Sequence, residues 1–257
     1  MEHRTVGTGS HHVIALHGWF GSAQGWGSFP QYVDGAAFTY HFMDYRGYGV
    51  RRAEPGDYTL AEISADVRRL ADEAGLAHYS LLGHSMGGAA ALRTLADDRD
   101  RVLAVVGVSP VGATPSPFDD AGRDLFWGAA QDPAKRAGII DFTTGNRNTA
   151  VWVGQVAAHS LQNSTVAAFA GYLEAWANAD FAQELRGIDV PVLVVPGRHD
   201  PALGEATVRQ TWLPLFPHAT LEVVDNAGHY PMDEAPVNLV TIVEGFLGGV
   251  AAGTSRT

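Results

Sequence analysis

Leu81-Leu82-Gly83-His84-Ser85-Met86-Gly87-Gly88 decides how the rest of the chain is read. Tyr79 to Leu82 are apolar or β-prone, and Ala89-Ala90-Ala91-Leu92 are strong helix formers. A strand therefore stops at a serine and turns at once into a helix. Glycines two places before and two places after Ser85 make the G-x-S-x-G pattern of a nucleophile elbow. The need for them is steric. A serine on a sharp, strained turn requires neighbours without side chains, because strand and helix backbones close to contact there. The turn also sets Ser85 at a helix N-terminus, where free N–H groups and the dipole favour a developing negative charge. A glycine-rich turn with a bystander serine has the same local pattern, so the flanking chain must decide.

Upstream, His12-Val13-Ile14-Ala15-Leu16 reads as a buried strand that exits into His17-Gly18-Trp19-Phe20-Gly21-Ser22. Residues 1 to 11 are polar and hold at most one short strand. Trp26 to Val33 is expected to be a short helix. Phe38 to Met43 is a second strand, ending at Asp44-Tyr45-Arg46-Gly47-Tyr48-Gly49. Thr59-Leu60-Ala61-Glu62 has the form of a capping box, and Leu60, Ile63, Val67 and Leu70 recur at helical spacing before Gly75. Downstream, the helix after Ser85 runs to about Ala96 and a strand follows at Val102 to Val108. Alternating strands and helices predict a mostly parallel sheet covered on both faces.

At Ser109-Pro110 the rhythm breaks. From Val111 to Gly187 there is no convincing strand, but there are helical stretches carrying Phe118, Phe126, Trp127, Phe142, Trp152, Phe169, Tyr172, Trp176 and Phe181. A stretch this long is no ordinary loop, and insertions of this kind are usually functional lids. The expected division is a core of residues 1–110 and 188–257 with a helical cap at 111–187. The sheet resumes at Pro191 to Val195 and leads into Pro196-Gly197-Arg198-His199-Asp200. A helix is expected around Glu205 to Trp212 and a strand at Thr220 to Val224. The loop Asp225-Asn226-Ala227-Gly228-His229 follows, then a final helix from Pro236 to Leu247, with a frayed tail after Val250.

Composition narrows the function classes. Of 257 residues, 46% are hydrophobic and 18% charged, which is a globular balance with enough chain for a sizeable core. A formal net charge of −11 argues against nucleic acid or an anionic membrane as partner. The absence of cysteine excludes disulfides, thiolate metal sites and a cysteine nucleophile. Met1-Glu2-His3-Arg4-Thr5 lacks the apolar region of a signal peptide, and the longest apolar run is too short to span a bilayer. A cytoplasmic protein, monomer or homodimer, is expected.

A serine hydroxyl is barely nucleophilic at neutral pH and needs a base. Among 11 histidines, His229 stands in a glycine-bearing loop directly after the last strand. Sites on an open parallel sheet collect at the C-terminal strand ends, where Ser85 also lies. His84 points the wrong way on the elbow, and His17 is expected to brace its loop. His11-His12 could bind metal, but a pair without a carboxylate is a weak metal signal, and neither metal nor cofactor is expected. The base needs an acid to hold its tautomer. Asp200 ends the strand just before the one delivering His229, whereas Asp225 and Asp233 are expected to be surface or capping groups. The order Ser85, Asp200, His229 matches one known class of triad. An oxyanion needs two N–H donors. Met86 supplies one, and the loop after the first long strand supplies the second, from Trp19 or alternatively Phe20.

With these residues in view, the chain resembles the α/β-hydrolases of the lidded esterase, lactonase and carbon–carbon hydrolase group. The matching stretches are His17-Gly18-Trp19, Asp44 to Gly49, Gly83 to Gly88, Gly197 to Asp200 and Ala227-Gly228-His229. The resemblance covers residues 12 to 247 and implies the α/β-hydrolase fold, the triad and oxyanion roles above, and a cap between the two halves of the sheet. Two departures are that the group's first antiparallel hairpin is mostly missing and that Val50 stands where many relatives have serine. Serine at the elbow argues against haloalkane dehalogenase or epoxide hydrolase chemistry, since those relatives use aspartate there.

The expected activity is hydrolysis of a small hydrophobic carboxylic ester or lactone through an acyl-enzyme on Ser85. Phe20, Trp127, Trp152 and Trp176 are the expected substrate contacts, because a cap rich in aromatics implies an apolar cavity. Alternatives on the same site are carbon–carbon bond hydrolysis and a cofactor-free perhydrolase. A binding or receptor protein that keeps the hydrolase scaffold is the alternative from another class.

Overall fold

Seven strands form one sheet in the computed structural model, which describes residues 1–254 and their side chains as far as residue 250. In chain order the strands are β1 (Arg4–Val6), β2 (His11–Leu16), β3 (Phe38–Met43), β4 (Tyr79–His84), β5 (Val102–Val108), β6 (Val192–Val195) and β7 (Thr220–Leu221). Across the sheet the order is β1-β3-β2-β4-β5-β6-β7. Only β1 runs antiparallel to its neighbour. Every residue of β3, β4 and β6 is buried, so both faces of the sheet are covered and the strands lack polar alternation.

Helices α1 (Leu60–Glu73) and α2 (Met86–Asp97) pack on each other, and α2 also touches β2, β4 and β5. After β5 the chain leaves the sheet and builds α3 (Asp120–Gly128), α4 (Pro133–Thr143), α5 (Ala150–Asn163) and α6 (Val166–Ala177) before returning as β6. Each of these four starts on a side-chain cap, from Asp119, Asp132, Thr149 and Thr165 in turn. A bridge between Tyr48 and Ser164, with the adjacent bond from Thr165 N–H to the Gly47 carbonyl, ties the insertion to the core backbone. The chain continues through α7 (Glu205–Thr211), the one-turn α8 (Pro231–Glu234) and α9 (Pro236–Thr254), which packs on β5. No helix of the described residues is long and apolar enough to cross a membrane.

Four local expectations change. Residues 26 to 33 form only a 3-10 turn at Phe29–Gln31, because Gly27 has φ +50° and Pro30 cannot donate a helical hydrogen bond. The Thr59 cap is present, accepting the Glu62 N–H, but the Glu62 carboxylate reaches further back, to the N–H groups of Asp57 and Tyr58. The reciprocal half of the capping box is therefore moved upstream. The last strand shrinks to two residues, although Val224 still donates to Pro196 and bridges Gly197. The final helix runs past Leu247 to Thr254, and residues 255–257 of the expected tail lie outside the described residues.

Candidate active site

Ser85 joins β4 to α2 at φ 53°, ψ −120°, in the backbone region that side chains avoid. Holding it there costs about 1–3 kcal/mol, which the surrounding contacts must offset. A Cβ on Gly83 would stand 2.2 Å from the Gly87 carbonyl oxygen, and one on Gly87 would stand 2.0 Å from that of Leu16. The elbow's glycines are thus required by contact distance. The Ser85 carbonyl accepts from the N–H groups of Gly88 at 2.8 Å and Val111 at 2.9 Å, which pins the turn from its far side.

His229 and Asp200 arrive on the loops leaving β7 and β6, neighbours in the sheet. Backbone bonds from Arg198 to Val224 at 3.0 Å and from His199 to Ala227 at 2.9 Å zip the two loops together. Gly197 allows this closeness, since a Cβ there would lie 1.9 Å from the Gly228 oxygen. Asp200 Oδ2 lies 2.6 Å from His229 Nδ1, and its Oδ1 accepts from the N–H groups of Ala202 and Leu203 at 2.9 Å each. A carboxylate held on both oxygens fits the tautomer with the proton on Nδ1, leaving Nε2 free to accept. His229 and Ser85 line one cavity, with no hydrogen bond between them among the described residues. Asp225 instead pairs with Arg198 at the surface, and Asp233 faces a separate hollow.

The loop after β2 lies against the nucleophile: a Cβ on Gly18 would come 3.1 Å from Ser85 Cβ. The Trp19 N–H has no hydrogen-bond partner among the described residues, and the Met86 N–H is the first, unpaired donor of α2. Two tyrosines of the Asp44 to Gly49 stretch support this loop, a role not legible from sequence. Tyr45 Oη donates to the His17 carbonyl at 2.8 Å and Tyr48 Oη to the Trp19 carbonyl at 2.9 Å. Asp44 ties the same loops, accepting from Ala23 N–H at 2.7 Å and Val50 N–H at 3.0 Å. The Val50 side chain is exposed, so replacing serine there leaves this backbone bond intact.

From above, α6 grips Trp19. The indole Nε1 donates to the Phe169 carbonyl at 2.7 Å, and the two rings stack at 4.0 Å. The guanidinium of Arg136 covers the other side of this stack, 3.6 Å from the Phe169 ring centre.

The cavity over Ser85 and His229 measures about 920 Å³. Trp19 and Phe20 line it from the core, and Phe118, Phe126, Phe142 and Trp176 from the insertion. Trp127 and Trp152 do not. Trp127 turns from α3 to donate to Glu174 at 2.5 Å, one helical step away from its inward neighbour Phe126. Trp152 meets Tyr230 edge-on beside the second hollow.

The other histidines considered from sequence, His84, His17, His11 and His12, take structural partners. His84 is buried and its Nε2 bonds the His229 carbonyl at 2.8 Å, with burial holding its pKa well below the usual value. His17 is fully buried, lies tilted against Tyr45 with ring centres 4.0 Å apart, and is pushed by burial down to about 4. His11 bonds Ser80 at 2.8 Å and His12 bonds His41 at 3.0 Å, so the two adjacent rings are turned to different partners.

Comparison with known proteins agrees with this geometry. The model of the Alpha/beta hydrolase family matches residues 13–242. The chain is 26% identical over 245 residues to a pimeloyl-[acyl-carrier protein] methyl ester esterase of Salmonella newport, covering 91% of this chain and 92% of that protein. Its fold is similar to that of an esterase from Exiguobacterium antarcticum, with TM-score 0.83, 19% identity, and 96% and 94% of the two chains covered. It is also similar to the enol-lactonase from Burkholderia xenovorans, with TM-score 0.81, 22% identity, and 96% of each chain covered. A strained serine between β4 and α2, a histidine–aspartate pair on the last two strand loops, and a family match across nearly the whole sheet lead to one conclusion: the chain belongs to the alpha/beta hydrolase family.

Proposed function

We propose that this protein is a serine hydrolase that cleaves a small, hydrophobic carboxylic ester or lactone. The observation that carries the reading is the 2.6 Å Asp200–His229 pair sharing one cavity with Ser85 on its strained elbow. His229 Nε2 takes the Ser85 proton as the hydroxyl attacks the carbonyl, and Asp200 stabilises the imidazolium that forms. The N–H groups of Trp19 and Met86 receive the oxyanion, with α2's N-terminus adding its partial positive charge. The tetrahedral intermediate collapses, the alkoxide leaves with the proton from His229, and water then releases the acid by the same steps in reverse. Residues 111–187 act as the cap, whose Phe118, Phe126 and Trp176 receive the apolar part of the substrate. The methyl ester esterase and the enol-lactonase among the similar proteins support this bond class.

Covalent labelling with a fluorophosphonate tests the reading. One adduct on Ser85, absent after Ser85→Ala, is expected. An unlabelled but folded wild type would return the scaffold to the class of binding proteins.

A further inference from the structure

Beside the Ser85 cavity, and sharing Phe20 with it, lies a second hollow of about 270 Å³. Several times the ~30 Å³ share of one water, it is large enough for a small organic molecule. Its walls come from the 20–27 loop, from α5 through Trp152, Gln155 and His159, and from Tyr230 and Asp233.

Among the described residues, Asp233 is the one acidic residue in that wall, and no lysine or arginine lines it. Its carboxylate makes no hydrogen bond or ion pair among the described residues. The adjacent Glu234 is by contrast fully engaged, by the N–H groups of Gly228 and Tyr230 and by Arg147 at 3.2 Å. The chain makes room for the free carboxylate. A Cβ on Gly27, at φ +50°, would stand 2.3 Å from Asp233 Oδ1. Burial, and the charge of Glu234 after it, push the Asp233 carboxyl up to about 6, as befits an acid lacking a counter-ion. His159 does not supply that charge. Its Nε2 is bonded to Ser22 Oγ at 2.9 Å, and burial lowers its pKa.

The other feature of the hollow is aromatic. Trp152 and Tyr230 meet edge-on, with ring centres 5.3 Å apart and planes at 76°. Indole and phenol faces attract cations, and a lone carboxylate beside them completes the chemistry that recognises ammonium groups. A hard metal ion needs several oxygen ligands, and no group of three or more His, Cys, Asp or Glu residues among the described residues is arranged to hold one.

We propose that this hollow binds a small organic ammonium ion, with Asp233 as its counter-ion and Trp152 and Tyr230 as its aromatic wall. Neither Ser85 nor His229 lines this hollow, although Tyr230 packs on the His229 ring, so binding is read directly and not through turnover.

Calorimetric titration of the full chain with choline, and with its uncharged isostere 3,3-dimethylbutan-1-ol, decides the matter at constant ionic strength. Choline is expected to bind one site, and the neutral alcohol at least about tenfold more weakly. Asp233→Asn should weaken choline by about tenfold or more. Affinity should also fall as pH drops below about 6, where Asp233 takes up a proton. Glu234, Tyr230 and His159 are the other titratable groups facing it, and none of them is a cation at pH 7. Equal binding of choline and the alcohol, no saturable choline binding, or unchanged affinity in a folded Asp233→Asn protein would each overturn the assignment. If Asp233→Asn does not fold, the wild-type comparison of the two probes still decides.

Discussion

The floor and the roof of the Ser85 cavity are held by different forces. The floor is backbone set against backbone: Gly83 on Gly87, Gly87 on Leu16, and Gly197 on Gly228, with Asp44, Tyr45 and Tyr48 hydrogen-bonded to the loop that carries Trp19. The roof is side chain set against side chain. Phe118, Phe126 and Trp176 pack on one another, and buried Arg136 binds the Ala129 carbonyl, Ser160 and Ser164 while covering Phe169. No carboxylate pairs with Arg136 among the described residues, and burial lowers its pKa. A floor built on contact distances tolerates few substitutions, because a methyl group has nowhere to go. A roof built on apolar volume tolerates many, so long as the volume is kept.

Substitutions in the floor should therefore abolish turnover, while substitutions in the roof should only retune it. The largest effect is expected for Ser85→Ala, which should lower kcat on a p-nitrophenyl ester by about 10⁶ while the circular dichroism spectrum stays unchanged. Activity within tenfold of wild type would remove Ser85 from its role. Asp200→Asn comes next, at about 10⁴, since the imidazole would then favour the wrong tautomer. Asp225→Asn, whose carboxylate only pairs with Arg198, should leave turnover at the wild-type level. The reverse outcome would mean that a different acid serves His229.

Acid should weaken the floor before the roof, because His17 and His84 are buried there uncharged. Burial depresses their folded-state pKa below 6.5, to about 4 for His17, so the unfolded chain binds protons that the folded chain refuses. Stability is then fully present above about pH 6.5 and lost as pH falls towards 4. His41, also lowered to about 4, adds to the loss. His11, His12 and His159, lowered by burial as well, act in the same direction, and Asp233, raised to about 6, and Glu244, also raised, act with the opposite sign. Tm measured from pH 7.5 to 4.5 should fall steadily, and a flat or rising profile would contradict the burial of these rings.

The roof gives the smallest effect. Each methylene added to the acyl group should raise kcat/KM about fourfold while space remains, from ~0.8 kcal/mol of burial. The p-nitrophenyl butyrate ester should thus outrun the acetate, and Trp176→Ala should flatten that slope without touching the acetate rate. Long-chain triglycerides should be poor substrates. A preference for acetate, or rapid cleavage of emulsified triolein, would show that the roof does not measure acyl length.

The amino-acid sequence by itself determined the elbow, the order Ser85, Asp200, His229, and the alternation of strands and helices. Each of these follows from a local requirement. A glycine must stand where two backbones touch, and a buried parallel strand must be apolar throughout. Gly83 could be read locally because it meets Gly87 within the elbow itself, whereas Gly87 meets Leu16, Gly197 meets Gly228 and Gly228 meets Thr144, each from a distant stretch. Tertiary structure alone decided which aromatics face the cavity. Phe126 points in and Trp127 points out, although they are consecutive. Trp19 finds its hydrogen-bond partner in Phe169, 150 positions away. It also decided that Tyr45 and Tyr48 hold the loop beside Ser85, and that Asp233 is left without a partner in a hollow of its own. Contacts between residues so far apart depend on the rotation and docking of whole helices, and that docking is set by the summed fit of many apolar surfaces, which no short stretch of sequence encodes.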